Sequence, residues 1–148
     1  MPDNSSQFRF EIASPERVVL KAEATQVSIP TVDGEITILP LHIPLVALLK
    51  PGIIEVVLAN GGRDIMAVSG GLVEVLANKV VVLADSAERA EELNEAAIEK
   101  ARARAETLKE QLSHQDSVEF ARLSSVIEHE LAKTHAVKRW KKIKSLDK

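Results

Sequence analysis

Glycine and proline are confined to one part of this chain of 148 residues. All six glycines and all six prolines precede Asp85, and none follows it. Both residue types interrupt helices and favour turns, whereas Ala, Glu, Lys, Arg and Leu dominate the remainder and favour helices. This division predicts an α+β protein of two units: an N-terminal β domain over residues 1–84 and a helical region over 85–148.

The first unit has the pattern of short strands. Phe8, Phe10 and Ile12 alternate with polar residues, so they should share the buried face of an opening strand. Further apolar runs follow at 18–20, 27–29, 36–39, 53–58, 65–68, 72–76 and 80–83. Turn signals such as Asn60-Gly61-Gly62 separate them. Many short strands with frequent turns predict an antiparallel β-sandwich or flattened barrel.

The second unit predicts a two-helix antiparallel hairpin. Asp85 can cap a first helix with Glu88 three residues later, and Asp116 with Glu119 repeats this arrangement. Ser113-His114-Gln115 supplies a short reversal between two helices of roughly 25 residues each. The apolar stripe of the first helix is rich in alanine: Ala90, Leu93, Ala97, Ala101, Leu108 and Leu112. The stripe of the second helix has larger side chains: Leu123, Ile127, Leu131, Val137 and Trp140. Small side chains bury little area, so we expect weak docking of the hairpin.

Charge and composition exclude several classes of function. The net charge of −3 argues against nucleic acid as the main partner, and there is no cysteine for a thiolate site or a disulfide. The polar start of the chain lacks signal-peptide features, and no apolar run approaches the roughly 20 residues that span a bilayer. We therefore expect a soluble protein that reaches a membrane only through a partner. Residues 133–148 hold seven bases and one acid, which makes the C-terminal end basic.

No catalytic or metal-binding constellation stands out. Ser69-Gly70-Gly71 lacks the lysine of a phosphate-binding loop. His129 and His135 are six residues apart, whereas the helical zinc motif needs four. His42 could act as a base oriented by Glu35 or Asp33, but no nucleophile motif accompanies it. We expect no cofactor and no bound metal.

Three motifs, in order, resemble those of the ATP synthase epsilon family. The first combines Asp33-Gly34-Glu35, Pro40, His42, Pro44-Leu45 and Lys50-Pro51-Gly52; the second is Ser69-Gly70-Gly71; the third is Leu83-Ala84-Asp85 at the junction to the helices. Two departures concern single positions, because the family usually has glycine where Thr37 and Leu41 stand. A third is the run 93–98, where Asn94 and Ala97 replace the acid and arginine with which some members bind ATP.

The resemblance implies a non-catalytic, central-stalk (rotor) subunit of a proton- or sodium-translocating ATP synthase. Such a subunit couples c-ring rotation through gamma to the catalytic head and inhibits ATP hydrolysis through its C-terminal helices. The implied partners are the gamma subunit, the polar loops of the c-ring, and the beta and alpha subunits. The implied location is peripheral, on the cytoplasmic side of the bacterial inner membrane.

The resemblance also assigns residues to these partners. The c-ring-facing candidates are Gly34, Glu35, Ile36, Leu41 and His42. The gamma-facing candidates are Ser69, Gly70 and Gly71, beside an apolar face, because glycine lets another backbone approach. The inhibitory tip comprises Lys133, Lys138, Arg139, Lys141 and Lys142.

Two other interpretations remain open at this point. One is a stand-alone adaptor or chaperone-like binding module that uses the hairpin as an arm. The other is an enzyme built on His42 with Glu35, which requires a closed pocket around His42, whereas the rotor interpretation requires an exposed loop.

Overall fold

The computed structural model describes residues 6–112 and 117–146, which form a β domain followed by two helices. The strands of the described residues are β1 (Phe8–Ala13), β2 (Val18–Thr31), β3 (Gly34–Ile38), β4 (Leu45–Leu49), β5 (Gly52–Leu58), β6 (Arg63–Val68), β7 (Gly71–Leu76), β8 (Lys79–Ala84) and β9 (Ala87–Arg89). A 3₁₀ turn, Ala90–Glu92, leads to α1 (Glu95–Leu112), and α2 (Ser117–Leu146) completes the described chain. No helix in these two described ranges combines the length and the apolar character needed to cross a membrane.

The β domain is a sandwich whose two layers share β2. The first half of β2 pairs with β1, and the second half pairs with β3 and β5. One layer continues from β1 through β8 and β7 to β4, and the other from β5 through β6 to β9. The predicted fold class is confirmed, with one difference in strand direction: β1 runs parallel to β8. β1 thus lies between β2, to which it is antiparallel, and β8, to which it is parallel.

The core lies between the two layers. Phe8, Phe10 and Ile12 are at most 2 % exposed, as the alternation at the start of the chain predicts. They pack with inward residues of the other strands, including Val27, Ile29, Ile54, Val56, Val73 and Val82. Val18 and Ile29 belong to one continuous strand, so the two runs predicted at 18–20 and 27–29 are joined.

The start of the first helix differs from the prediction. Asp85 caps no helix: residues 87–89 form β9 against β6, and α1 begins only at Glu95. The side-chain oxygen of Asn94 accepts a hydrogen bond of 2.8 Å from the amide of Ala97 and so caps α1. Pairing with the edge of β6 therefore outweighs the local preference of these residues for helix. The predicted cap at Asp116 and the reversal at Ser113-His114-Gln115 lie outside the described residues.

The helices run antiparallel and have unequal lengths of 18 and 30 residues, rather than roughly 25 each. Lys141 lies 3.9 Å from Glu95, and Arg104 lies 3.9 Å from Glu130, which fixes the direction of α2 beside α1. Along α1 the buried residues are Ala101 and Ala105. The division into units at residues 84 and 85, and the weak docking of the hairpin, stay predictions.

A second face of α2 packs on the outer surface of the β domain. Ala132, Ala136 and Val137 form a buried cluster with Ile65 and Ala67 of β6. Partly buried residues border this cluster: Ile53, Leu93, Ile98, Trp140 and Ile143. The hairpin is thus docked, with α2 between α1 and the β domain.

Candidate interaction surfaces

An uncovered apolar surface crosses three strands on the outside of the β domain. Leu48 of β4 lies opposite Leu72 of β7, which lies opposite Leu83 of β8. Directly paired residues point to the same side of a sheet, so these three side chains form a row. Val46 and Leu48 are 68 % and 61 % exposed. We call Val46, Leu48, Leu72, Leu76 and Leu83 the apolar face; a patch of this kind is typical of a protein-binding surface.

The predicted gamma-facing residues border this face. Gly71 is the first residue of β7 and directly precedes Leu72. A Cβ atom on Gly71 would lie 2.0 Å from the carbonyl oxygen of Leu83, and its φ of +124° also favours glycine. At Gly70, φ is +144° and a Cβ would approach Asp85. The backbone that approaches Gly71 closely is therefore that of its own chain, at Leu83 and Ala84.

The predicted c-ring-facing residues form two separate groups. Gly34, with φ of +122°, starts β3 after a tight turn; Glu35 is exposed, and Ile36 packs partly against the core. Leu41 and His42 follow the other end of β3, a strand of five residues at about 3.3 Å per residue. The structure thus brings Gly34, Glu35 and Ile36 together but places Leu41 and His42 at the opposite end of the strand.

The loop that holds Leu41 and His42 is open and apolar. Leu41 is 64 % exposed, has φ of +64°, and donates its amide to the carbonyl of Ala77 at 3.1 Å. His42 Nδ1 lies 2.7 Å from the carbonyl oxygen of Ile43. Glu35 therefore does not orient His42, and the pair required by the enzyme interpretation is not formed. Leu39 and Ile43, on either side of Leu41 and His42, are also exposed. The run at 36–39 predicted a strand position for Leu39, but β3 ends at Ile38.

The predicted inhibitory tip is not a single patch in the docked hairpin. Lys133 is largely buried, with Nζ 3.1 Å from Glu88 of β9 and 3.5 Å from Glu130. Arg139 contacts Glu55 of β5 at 3.1 Å. Lys141 lies near Glu95, whereas Lys138 and Lys142 are exposed and form no ion pair within the described ranges. Two of the five cations are therefore held by the β domain.

Polar contacts also fix the segment that connects the two units. Arg89 of β9 donates a hydrogen bond of 2.6 Å to the buried carboxylate of Asp64 on β6. Arg17, before β2, contacts both carboxylate oxygens of Glu92 at 3.1 and 2.5 Å. Hydrogen bonding from Arg17 lowers the pKa of Glu92. The segment up to Glu92 is thus attached to the β domain on both sides.

A cleft lined by both apolar and charged residues lies between the first turns of α1 and the C-terminal half of α2. Its volume is about 560 Å³, and Asn94, Glu95, Arg102, Lys138 and Lys141 are among its lining residues. The oxygen of Asn94 is already used as the helix cap. The absence of bound ATP stays a prediction from the sequence. Among residues 6–112 and 117–146, no group of three or more His, Asp or Glu side chains is placed to hold a metal ion.

Comparison with known proteins gives one consistent family. Residues 7–90 match the family model described as ATP synthase, Delta/Epsilon chain, beta-sandwich domain. The ATP synthase epsilon chain of Chloroflexus aggregans is 47 % identical over 98 residues, covering 66 % of this chain and 70 % of the relative. That of Herpetosiphon aurantiacus is 48 % identical over 99 residues, covering 67 % and 72 %.

Solved structures share the fold. A chain of the Euglena gracilis mitochondrial ATP synthase, in its OSCP/F1/c-ring assembly, superposes with a TM-score of 0.74 at 23 % identity, covering 89 % of this chain and 82 % of that one. A chain from the central stalk and c-ring of the Tetrahymena thermophila mitochondrial ATP synthase gives 0.61 at 15 % identity, covering 88 % and 96 %. The likeness extends past the family match at residue 90 and so includes the helices.

Proposed function

This chain belongs to the ATP synthase delta/epsilon family, and we propose that it acts as a non-catalytic rotor subunit that joins gamma to the c-ring. The observation that carries this proposal is the apolar face, since the row Leu48, Leu72 and Leu83 needs a partner to cover it. The epsilon chains of bacteria among its relatives support a peripheral position on the cytoplasmic side of the inner membrane.

Gamma is the partner we propose for the apolar face. The row Leu48, Leu72 and Leu83 is apolar, as is typical of the buried part of a stable interface. The exposed carboxylate of Glu74, opposite Val46, lies beside this row. Ser69, Gly70 and Gly71 lie at one end of this face, and their φ values fix the start of β7 beside Leu72. They would position the face instead of providing the contact themselves.

A single charge placed in the apolar face tests this proposal. Leu48→Glu should leave the fold intact, because Leu48 is 61 % exposed, but should weaken binding to purified gamma at least tenfold. Val118→Glu is the matched control, since Val118 is 76 % exposed on α2, away from the β domain strands. Gamma binding by the L48E variant with the affinity of the unmodified chain would remove the apolar face from this interface.

The c-ring contact is proposed at the turn around Gly34, Glu35 and Ile36. Glu35 is exposed there and offers a carboxylate to the polar loops of the ring. Leu41 and His42 form a second candidate contact at the other end of β3. Single cysteines at Glu35 and at Leu41 separate the two, because the chain has no cysteine of its own. Each should crosslink to a cysteine in the c-ring loop if its end faces the ring; a site that gives no crosslink while the other does is excluded.

Inhibition of ATP hydrolysis is proposed for the basic residues of α2, acting on the alpha and beta subunits. Because Lys133 and Arg139 contact Glu88 and Glu55 when the hairpin is docked, all five cations become available only after α2 leaves the β domain. Deletion of residues 133–148 would also uncover Ile65 and Ala67 of β6. Charge reversal is therefore a cleaner test than truncation.

The variant should combine Lys138→Glu with Lys142→Glu, which changes two exposed residues that make no ion pair among the described ones. We expect ATP hydrolysis by the reconstituted enzyme to rise at least twofold. Lys100→Glu on the exposed side of α1 serves as the control. An unchanged rate for the double variant would remove the inhibitory role from this end of α2.

A further inference from the structure

One histidine lies within the contact between the hairpin and the β domain. The side chain of His129 on α2 is 12 % exposed, and its Nε2 lies 3.3 Å from the hydroxyl of Ser86, in the connection between β8 and β9. Its Nδ1 is buried without a hydrogen-bond partner among the described residues. A neutral imidazole carries a single N–H group. The ring therefore fits this place uncharged, with Nε2–H beside the Ser86 hydroxyl and Nδ1 unprotonated.

The charged groups around this ring are matched with one another when His129 is neutral. Glu88 of β9 and Glu130 of α2 are the acids that act on it, and Lys133, also on α2, is the cation that does so. Lys133 lies 3.1 Å from Glu88 and 3.5 Å from Glu130, and Arg104 of α1 lies 3.9 Å from Glu130. Glu88 is 4.0 Å from Nε2 and so is closer to Lys133 than to the ring. Two carboxylates and two cations are thus matched, and a charged His129 would be an unmatched third cation.

We propose that His129 is a pH-sensitive latch: its neutral ring holds α2 against Ser86 and β9, and its protonation releases the hairpin from the β domain. The geometry accounts both for docking with a neutral ring and for release on protonation. Docking buries the ring, and the backbone of Val68 offsets only part of the cost of charging it there. An undocked α2 would expose the imidazole and let water hydrogen-bond to both nitrogens.

The direction of the pH dependence follows from the pKa of His129. Burial lowers this pKa below its ordinary value of 6.5, and the positive charge of Lys133 lowers it further. The backbone of Val68 and the negative charges of Glu130 and Glu88 raise it, but by less. The undocked state therefore binds the proton more readily than the docked state. The contribution of His129 to the stability of the docked state is fully present above pH 6.5. It is lost as the pH falls below that value and through the lowered pKa.

The latch is a property of the isolated chain and does not depend on the proposed inhibition. If it fails, the binding of gamma is untouched; if the hairpin does not inhibit, the latch can still operate. Trp140 provides the readout, because it is the single tryptophan of the chain and is partly buried against the cluster formed by α2 and β6. Its emission should shift to longer wavelength when α2 leaves the β domain.

The experiment records tryptophan emission of the full chain from about pH 8 to about pH 5, with circular dichroism to monitor secondary structure. We expect a red shift that develops below pH 6.5 with no loss of helix or strand signal. His129→Gln, whose amide can still bond to Ser86, should remove the shift. His135→Gln is the matched control, because His135 is exposed on the same helix, and it should keep the shift.

A second measurement tests the proposal without the glutamine variant, in case that variant folds poorly. Spin labels on Asp33→Cys and Lys138→Cys report the distance between the β domain and α2 in the otherwise unmodified chain, where both positions are exposed. This distance should increase below pH 6.5. A distance and an emission maximum that do not change with pH would overturn the proposal, as would a transition that persists in H129Q or that coincides with loss of the β signal.

Discussion

Arg139 of α2 contacts both carboxylate oxygens of Glu55 on β5, at 3.1 and 3.5 Å, and Arg63 of β6 contacts the same carboxylate at 2.7 Å. One acid of the β domain thus holds a cation of the proposed inhibitory tip. The contact joins residues that are 84 positions apart, so it connects the hairpin directly to the sandwich. Any partner that takes Arg139 must compete with Glu55.

Removing this charge should loosen the hairpin slightly. Glu55→Gln keeps the shape of the side chain but weakens its attraction for Arg139. Because the Arg139 side chain is 45 % exposed, we expect a loss of less than about 1 kcal/mol. Amide hydrogen exchange in the C-terminal half of α2 should accelerate about two- to fivefold. Glu99→Gln, which alters only an exposed pair within α1, should leave that exchange unchanged; equal acceleration in both variants would contradict the role of Glu55.

Gly71 should be among the least replaceable residues of the β domain. An alanine there would place Cβ 2.0 Å from the carbonyl oxygen of Leu83 at φ of +124°. We expect Gly71→Ala to lower the free energy of unfolding by about 3 kcal/mol. Gly61→Ala, also at positive φ but in open space, should cost only about 1 kcal/mol. Urea denaturation followed through the β signal measures both, and losses of equal size would show that steric overlap with Leu83 is unimportant.

Replacement of Leu41 by glycine, the usual residue of the epsilon family at this position, should stabilise the protein. Its φ of +64° is unfavourable for leucine, and its side chain is 64 % exposed, so little packing would be lost. Leu41→Gly should raise stability by about 0.5 kcal/mol, since relief of the backbone exceeds the entropy gained by the unfolded chain. Leu39→Gly, where φ is not positive, should instead lower it by a similar amount. Thermal unfolding of the two variants should therefore shift in opposite directions.

The bond between Arg89 and Asp64 should keep β9 on the sandwich. Asp64 is 3 % exposed, so Asp64→Asn removes the charge from the buried partner of Arg89, at a local cost of about 2 kcal/mol. The exposed Glu91, 2.8 Å from the same guanidinium nitrogen, remains but does not attach β9 to β6. Hydrogen exchange should rise more than tenfold at the amides that pair β6 with β9 and remain unchanged in β7 and β8. Glu106→Gln, in an exposed pair of α1, is the control. Unaltered protection of β9 in D64N would mean that the strand pairing alone holds this segment.

The sequence was most informative where a local pattern matched the final environment. Phe8, Phe10 and Ile12 alternate because one side of β1 faces the core, and this can be seen without knowing any partner strand. Ala87, Glu88 and Arg89 show the opposite case. Their local preference is helical, but they form β9 because the edge of β6 and the carboxylate of Asp64 are available in the folded chain.

The interaction surfaces were predictable only in part, for the same reason. Gly70 and Gly71 lie at the end of the apolar face and are visible in the sequence, because positive φ favours glycine. Their assignment to gamma stays a prediction. The row of Leu48, Leu72 and Leu83 depends on the register of three strands, which single-residue patterns do not provide. The acids that hold Lys133 and Arg139 are likewise contributed by distant strands, so the C-terminal bases read as one free cluster in the sequence.

The sharing of β2 by both layers has a mechanical consequence. A single run of covalent backbone extends from Val18, beside β1, to Thr31, beside the turn that carries Gly34 and Glu35. A force applied at that turn is therefore carried into both sheets through peptide bonds, with no need for the two layers to slide on their apolar contacts. Within a rotating assembly, the β domain would then transmit torque as a stiff spacer, and compliance would be concentrated after Glu92, where the attachment of the chain to the sandwich by Arg17 ends.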